Sequence, residues 1–209
     1  MTTTMIANRR QEGIVLAVVL ILLVAMTLLA LSLTRITDTA IQVANNISFK
    51  QSTISAADSA IEQAINTLRN TVADKAHDSP ANGYYATEQT GRDFTGSATP
   101  GNPNDDVTWT GANSTQRAKV GTAVGGNNIA YIIHRMCSKP GGLTVADDGT
   151  ANSCATSSTA ASSGGSKGGA AYGQQVISSK TQIYYRITVR TEGARNTASY
   201  VQSMVLLEY

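Results

Sequence analysis

An uncharged apolar run near the N-terminus constrains this 209-residue chain more than any other feature. The run extends over 20 residues, from Ile14 to Leu33, and contains no charged residue and no proline. About 20 helical residues, each rising ~1.5 Å, span the ~30 Å hydrocarbon core of a bilayer. We therefore expect a helix over residues 14–34 that crosses a membrane.

Arginines flank the apolar run on both sides. Arg9 and Arg10 precede it, and Arg35 closes it. Positive residues favour the cytoplasmic side, so we expect a cytoplasmic N-terminus, with the chain after Arg35 across the membrane. A cleavable secretory signal fits less well, because its apolar region has ~7–15 residues and ends in a small-x-small cleavage site. We interpret residues 1–13 as a leader peptide and Arg35 as an anchor at the interface.

The helical pattern continues beyond the apolar run. Apolar residues recur mainly at steps of three and four, which places them on one stripe of a helix. The stripe consists of Ile36, Ala40, Val43, Ile47, Ile54, Ala57, Ile61, Ala64, Leu68 and Val72. We predict an amphipathic second half of the helix over residues 35–78, ended by Pro80 and Gly83. A lone amphipathic helix is marginal in water, so this stripe must pack against a globular partner.

Two segments show the alternation that is typical of strands, residues 128–136 and residues 182–190. Their apolar members are Ile129, Tyr131 and Ile133 in the first, and Ile183, Tyr185, Ile187 and Val189 in the second. The polar side is expected to carry Arg135, Arg186, Thr188 and Arg190. A turn over residues 192–196 then returns the chain as a partner strand over residues 197–207.

These elements predict an α+β fold. A long N-terminal α-helix, whose first half spans the membrane, packs on a C-terminal antiparallel β-sheet that has one apolar face. The sheet domain is expected over residues 79–209, outside the cytoplasm. Residues 84–127 are rich in Gly, Asn, Asp, Thr and Pro, and we interpret them as a long connecting loop with one short candidate strand at residues 107–110.

Cys137 and Cys154 are the two cysteines of the chain. In an exported domain a disulfide is the favoured interpretation, because metal sites usually need three or four ligands and His134 is the only supplement nearby. The alternative is a pair of buried free thiols. A disulfide across a loop of this size stabilises by ~3 kcal/mol in the chain-entropy model.

The charge of the exported part argues against nucleic-acid binding. Apart from Arg9, Arg10, Glu12 and Arg35, the chain has 13 basic and 13 acidic residues. A nucleic-acid surface needs Lys and Arg clustered on one face. We therefore expect no nucleic-acid partner.

No group of residues predicts an enzyme. His77 and His134 have no adjacent cysteine or carboxylate at ligand spacing, residues 164–169 lack the order of a phosphate-binding loop, and Ser179 next to Lys180 is no evidence of a catalytic pair. Residues 147–152 carry oxygen ligands near a turn, but not at the spacing of a calcium loop. We expect no catalytic residue, no resident metal and no cofactor.

The combination of a short basic leader ending in glycine, an apolar segment, an amphipathic helix and a sheet with a disulfide resembles the type IV pilin family. Three segments carry a narrower resemblance to minor pilins of the PilX kind: residues 13–35, residues 56–61, and the end of the chain over residues 185–202. The resemblance covers both ends of the chain, and residues 84–127 and 155–173 contribute nothing to it.

The resemblance implies that a prepilin peptidase cuts after Gly13. The new N-terminus would be Ile14, which is usually N-methylated in such proteins, although Ile14 stands where phenylalanine is commoner. Most pilins carry glutamate at the fifth mature position, where it is thought to pair with the terminal amine of the subunit above. Here that position is Val18. A carboxylate in lipid is costly unless it is paired, and a subunit with nothing above it has no amine to pair with, so Val18 favours a place at the fibre tip.

The function implied is that of a minor type IV pilin in a tip complex that primes pilus assembly, and so supports adhesion and twitching motility. The implied partners are other minor pilins, the major pilin, the prepilin peptidase and the inner-membrane assembly platform. The implied location is the bacterial inner membrane and then the pilus tip at the cell surface. Two alternatives stay open: a minor pseudopilin of a type II secretion system, and a single-pass anchored binding domain whose leader stays uncut.

Overall fold

The computed structural model describes residues 12–95, 105–110, 116–157 and 181–208. The chain divides into two compact units, residues 1–48 and residues 49–209. One α-helix, α1, extends over Glu12–Asn70. In the first unit it presents its side chains from Ile14 to Ile47 to solvent. In the second unit the same helix contributes one wall of the core.

The strands of the second unit form a six-stranded sheet. They are β1 (Tyr84–Tyr85), β2 (Lys119–Val120), β3 (Asn128–Arg135), β4 (Thr156–Ser157), β5 (Gln182–Glu192) and β6 (Ala198–Glu208). The central strand β5 pairs with β3 and β4 along one side and with β6 along its whole length on the other. All pairings are antiparallel except that of β1 with β3. The predicted α+β layout and its C-terminal hairpin are confirmed.

From Ala57 onward the predicted helix stripe packs on the sheet through small residues. The earlier members of the stripe do not pack on the sheet and are exposed: Ile36, Ala40, Val43, Ile47 and Ile54. Ala57, Ala60 and Ala64 are completely buried, and Leu68 continues their row toward the end of α1. Facing them are odd-numbered residues of strands β3 and β5: Ile129, Tyr131, Ile133, Ile183, Tyr185, Ile187 and Val189. Alanine brings the helix backbone close to the sheet, so larger side chains from the strands fill the remaining space.

The helix ends at Asn70, eight residues before the predicted boundary at 78. The N–H groups of Thr71 and Val72 both donate to the carbonyl of Thr67, at 2.9 and 3.0 Å. Beyond that turn the backbone bonds to other elements: the carbonyl of Lys75 accepts from the Tyr84 hydroxyl at 2.6 Å. These tertiary hydrogen bonds replace the helical ones that the local sequence would allow.

The second face of the sheet is also covered, contrary to the prediction of one apolar face and one wet face. Strand β3 is buried from Ile129 to Arg135. Ala130 and Ile132 on its second face pack against a cluster supplied by the predicted connecting loop. The members from that loop are Tyr85, Phe94, Val107, Trp109 and Ala118. The segment predicted as a strand at residues 107–110 makes only an isolated bridge, between Thr108 and Arg117.

Arg135 was expected on the wet face and is instead completely buried. Side chains alternate along a strand, so Arg135 shares the helix-facing side with Ile133. Its guanidinium donates to the carbonyls of Ala86, Lys75 and Gly141 at 3.1, 3.0 and 2.7 Å. A buried guanidinium is tolerable when its N–H groups are bonded in this way. Arg135 thereby joins the segment after α1 to the loop that follows β3.

Candidate functional surfaces

The first candidate surface is the apolar helix of the first unit. The side chains of Ile14 and Val18 are 68% and 48% exposed, and none of the most apolar 18-residue window of this helix is buried. The mean hydropathy of that window is 3.3. The helix is long and apolar enough to cross a membrane, which makes it compatible with a membrane anchor. Water is an unfavourable solvent for such a surface.

Hydroxyl groups within this helix are satisfied by the helix itself. Thr27 donates to the carbonyl of Val24 at 2.8 Å, and Thr34 donates to that of Leu31 at 2.9 Å. Thr37 repeats the pattern on Thr34 at 2.8 Å. Transfer of a hydroxyl from water into hydrocarbon without a hydrogen-bond partner costs about 4 kcal/mol or more. The threonines of the helix therefore present little obstacle to burial in lipid.

The residues of the predicted cleavage site lie at the start of α1. Gly13 and Ile14 both belong to α1, next to the first residue of the helix that the structure describes, Glu12. Val18 follows Ile14 by four positions, which places the two side chains on one face of the helix. Arg35 lies on the same helix and is exposed. Arg9 and Arg10, the other predicted topology residues, lie outside the described part of the chain.

The second candidate surface is the disulfide loop. The Cys137–Cys154 bond is present, which confirms the predicted pairing. Asn152 holds the loop internally, because its side-chain amide donates to the carbonyls of Lys139 and Gly142 at 2.9 and 2.7 Å. The disulfide thus closes the loop, and the hydrogen bond from Arg135 to Gly141 joins the loop to β3.

The acidic residues of this loop are paired with basic side chains of the protein. Asp148 accepts from the Lys139 ammonium at 2.8 Å, and this bond together with those from Thr150 lowers the pKa of Asp148. Asp147 lies 3.1 Å from His77 Nε2. Residues 147–152 were weighed as a calcium loop; in the described part of the chain no three or more His, Cys, Asp or Glu side chains gather as a metal site would require.

His77 bridges two acidic residues at the surface. Its Nδ1 lies 2.6 Å from an oxygen of Asp74, and its Nε2 faces Asp147. The hydrogen bond that His77 donates to Asp74 raises the pKa of His77, and the charges of both carboxylates add to the shift. The bridge joins the segment after α1 to the disulfide loop, a structural role that the sequence did not indicate.

His134 lies in a buried aromatic cluster on the second face of the sheet. Its ring stacks on Tyr85 with centroids 5.5 Å apart, and Phe94 meets it edge-on at 5.7 Å. Neither ring nitrogen has a hydrogen-bond partner among the described residues. Burial lowers the pKa of His134 to about 3, and Arg186 and Arg92 add to the shift. The imidazole is therefore neutral at physiological pH and serves as a packed ring.

The third candidate surface lies at one end of the second sheet face, where Trp109, Asn128, Arg190 and Glu192 line an open cavity of about 180 Å³. Sequence reasoning missed it, because Trp109 belongs to a segment whose composition predicts a loop. The available signal was that Trp109 is the only tryptophan of the chain, flanked by the β-branched residues of positions 107–110. Residues 164–169, 179 and 180, considered above for phosphate binding and catalysis, lie outside the described residues.

Comparisons of the chain with protein-family models, with curated proteins and with solved structures gave no match. The case for a function therefore depends on the surfaces themselves. The apolar helix belongs to the same α1 that forms one wall of the sheet domain.

Proposed function

We propose that this protein is a minor type IV pilin that enters a tip complex after leader cleavage and primes pilus assembly. The observation that carries the proposal is the difference in surface between the two parts of α1. Its N-terminal part is apolar and exposed on all sides, while its C-terminal part buries a stripe of alanines against a sheet. A helix of this kind anchors a folded domain in a membrane and leaves an apolar surface for neighbouring helices.

The mechanism under this proposal is packing, without bond chemistry. Before assembly, lipid covers the side chains from Ile14 to Leu33. A prepilin peptidase removes residues 1–13, and the assembly platform then moves the mature chain out of the bilayer into a helical bundle with other minor pilins and the major pilin. Van der Waals contact between apolar helices replaces contact with lipid, so the transfer changes little apolar hydration.

The side chain at position 18 supports a place at the tip. Val18 carries no charge, so a subunit stacked above would find no carboxylate for its terminal amine. A subunit that needs no partner above fits the first position of a fibre. The proposal thus assigns Val18 the role of limiting this chain to the tip complex.

The test is to restore the carboxylate and locate the protein on sheared fibres with gold-labelled antibodies. We expect the wild type at fibre ends and Val18→Glu along the shaft. Val19→Glu is the matched control, because it adds the same charge about 100° further round the helix, and it should not enter the shaft. Val18→Glu that remains at fibre ends would contradict the tip assignment.

The same helix also suits a minor pseudopilin of a type II secretion system. Deletion separates the two functions, because a pilin defect removes surface pili and twitching while a pseudopilin defect removes exoprotein release. We expect loss of pili with normal exoprotein release. The reverse pattern would assign the protein to secretion.

A further inference from the structure

We propose that the open end of the second sheet face is a binding site for a neutral sugar. This sugar site is defined by Trp109, Asn128, Arg190, Glu192 and Ala198. It lies wholly within the second unit and is separate from the apolar helix, so it does not depend on the proposed pilin function.

The register of the sheet creates the site. Asn128 of β3 is opposite Glu192 of β5, which is opposite Ala198 of β6. The next row on the same face lies two residues further along each strand and consists of Ala130, Arg190 and Tyr200. Residues that pair across a sheet point to the same face. The polar side chains of Asn128, Arg190 and Glu192 thus project beside two alanines, whose small side chains leave room above the strands.

The room takes the form of two adjoining cavities. The inner cavity, of about 180 Å³, reaches from Trp109 and Val120 to Ala130. The outer cavity, of about 570 Å³, is bounded by Gly126, Gly193 and Asn196. Asn128, Arg190 and Glu192 line both cavities. The inner cavity is below the ~300 Å³ of a typical drug-sized site, which suits a single ring, and the outer one has room for a further unit.

One wall of the inner cavity is a fixed aromatic ring. The indole N–H of Trp109 donates to the carbonyl of Phe94 at 2.9 Å. The ring of Trp109 also meets Tyr200 edge-on, with centroids 5.8 Å apart. These two contacts hold the indole in place before any ligand binds, and a rigid aromatic anchor loses little conformational entropy on binding.

The polar rim is electrically balanced. Arg190 forms an ion pair with Glu192, and its guanidinium lies 6.0 Å from the Tyr200 ring centroid. The Nε–H of Arg190 is buried and has no hydrogen-bond partner among the described residues. Because that atom has no contact with the cavity, the hydrogen bonds of Arg190 to a ligand would come from the terminal nitrogens of its guanidinium. Asn128, exposed at the start of β3, adds both a donor and an acceptor.

This set of groups selects the chemical class of the ligand. An anion would meet the Glu192 carboxylate, and a purely apolar ligand would leave the polar rim without hydrogen-bond partners. A sugar ring has an apolar face of C–H groups for Trp109 and hydroxyls that both donate and accept. Those hydroxyls match a guanidinium, a carboxylate and an amide side by side.

The test uses the fluorescence of Trp109, the only tryptophan of the chain. The full chain, in a zwitterionic detergent that carries no sugar headgroup, is titrated with the methyl glycosides of glucose, galactose, mannose and N-acetylglucosamine. Sialic acid is the anionic comparison. We expect a saturable fluorescence change with at least one neutral glycoside. No saturable change with any of the four, or saturation by sialic acid alone, would overturn the proposal.

Variants locate the binding. Arg190→Gln should weaken it about tenfold or more, because a charge-assisted hydrogen bond is lost. Glu192→Gln keeps the size of the side chain and should weaken it as well. The matched control is Arg69→Gln, which changes an exposed arginine on α1 that does not line the site, and it should leave affinity within about twofold. Unchanged affinity in both Arg190→Gln and Glu192→Gln would place the sugar elsewhere and overturn the assignment.

Discussion

The hydroxyl groups of Thr67 and Tyr131 form a hydrogen bond of 2.7 Å between the long helix and strand β3. Both residues are buried, with 5% and 2% of their surface exposed. Burial also raises the pKa of the Tyr131 hydroxyl, so the group stays neutral and able to donate. The contact fixes the register of α1 against the sheet at a point where the surrounding side chains are apolar.

Thr67→Val should lower the free energy of unfolding by about 1–3 kcal/mol, because it leaves the Tyr131 hydroxyl buried without its partner. Adding Tyr131→Phe removes the hydroxyl that lacks a partner, so the double variant should recover much of the lost free energy of unfolding. Denaturant unfolding in a constant detergent, followed by Trp109 fluorescence, measures both. A double variant whose loss equals the sum of the two single losses would contradict this account of the contact.

The buried imidazole of His134 predicts a pH dependence. Its pKa falls from an ordinary 6.5 to about 3 in the folded protein, so between those values the unfolded chain binds the extra proton. Stability is therefore retained above pH 6.5 and lost as the pH falls toward 3, by at most on the order of 5 kcal/mol. His134→Phe should lose less stability than the wild type across that window.

The exposed His77 gives the opposite sign and serves as the control. Its pKa is raised by Asp74 and Asp147, so its contribution is present below its ordinary pKa of 6.5 and fades as the pH rises through the raised value. His77→Asn should therefore lose stability relative to wild type on the acidic side. Denaturant unfolding over a pH series measures both variants. If His134→Phe and the wild type lost the same free energy of unfolding as the pH fell from 6.5 toward 3, the burial of a neutral imidazole would be contradicted.

The disulfide gives a third stability prediction. Cys137 and Cys154 are 17 positions apart, and replacing both by serine should cost ~3 kcal/mol through the greater entropy of the unfolded chain. The Arg135 and Asn152 hydrogen bonds remain, so the domain should still fold with a lower unfolding midpoint. Reduction of the wild type should reproduce the shift. An unchanged midpoint in both would show that the loop does not depend on the bond.

The sequence predicted those parts of the fold that depend on regular spacing. Apolar residues at steps of three and four predicted the helix stripe through Ala57, Ala64 and Leu68. Alternation of apolar with other residues predicted β3 and β5. In each case one face of a regular element packs in the core between α1 and the sheet, and the period of that element appears directly in the order of its residues.

The cover on the second sheet face was not predictable in the same way. Tyr85, Phe94 and Trp109 are separated by polar residues at irregular intervals, because a loop reaches the sheet with single side chains at points set by its path. Composition alone predicted an exposed loop there. The sugar site shares this origin, since it needs Trp109 from the loop and Arg190 from a strand that follows some 80 positions later.

The early end of α1 has a related cause. Nothing between Thr71 and His77 breaks a helix by itself, since neither Gly nor Pro occurs there. The carbonyls of Lys75 and Ala76 instead accept from Arg135 and Gly141. These partners come from the region around the disulfide, so the sequence of residues 71–77 does not predict that the helix ends there.

The central claim is that residues 1–13 form a leader that a prepilin peptidase removes. The most direct measurement is the intact N-terminal mass of the protein extracted from membranes of cells with and without that peptidase. Gly13→Lys in peptidase-containing cells is the matched control and should stay uncut. The account predicts a chain that begins at Ile14 only when the peptidase is present. A chain that still carries Arg9 and Arg10 in both strains would contradict it and would favour an anchored binding domain that never enters a fibre.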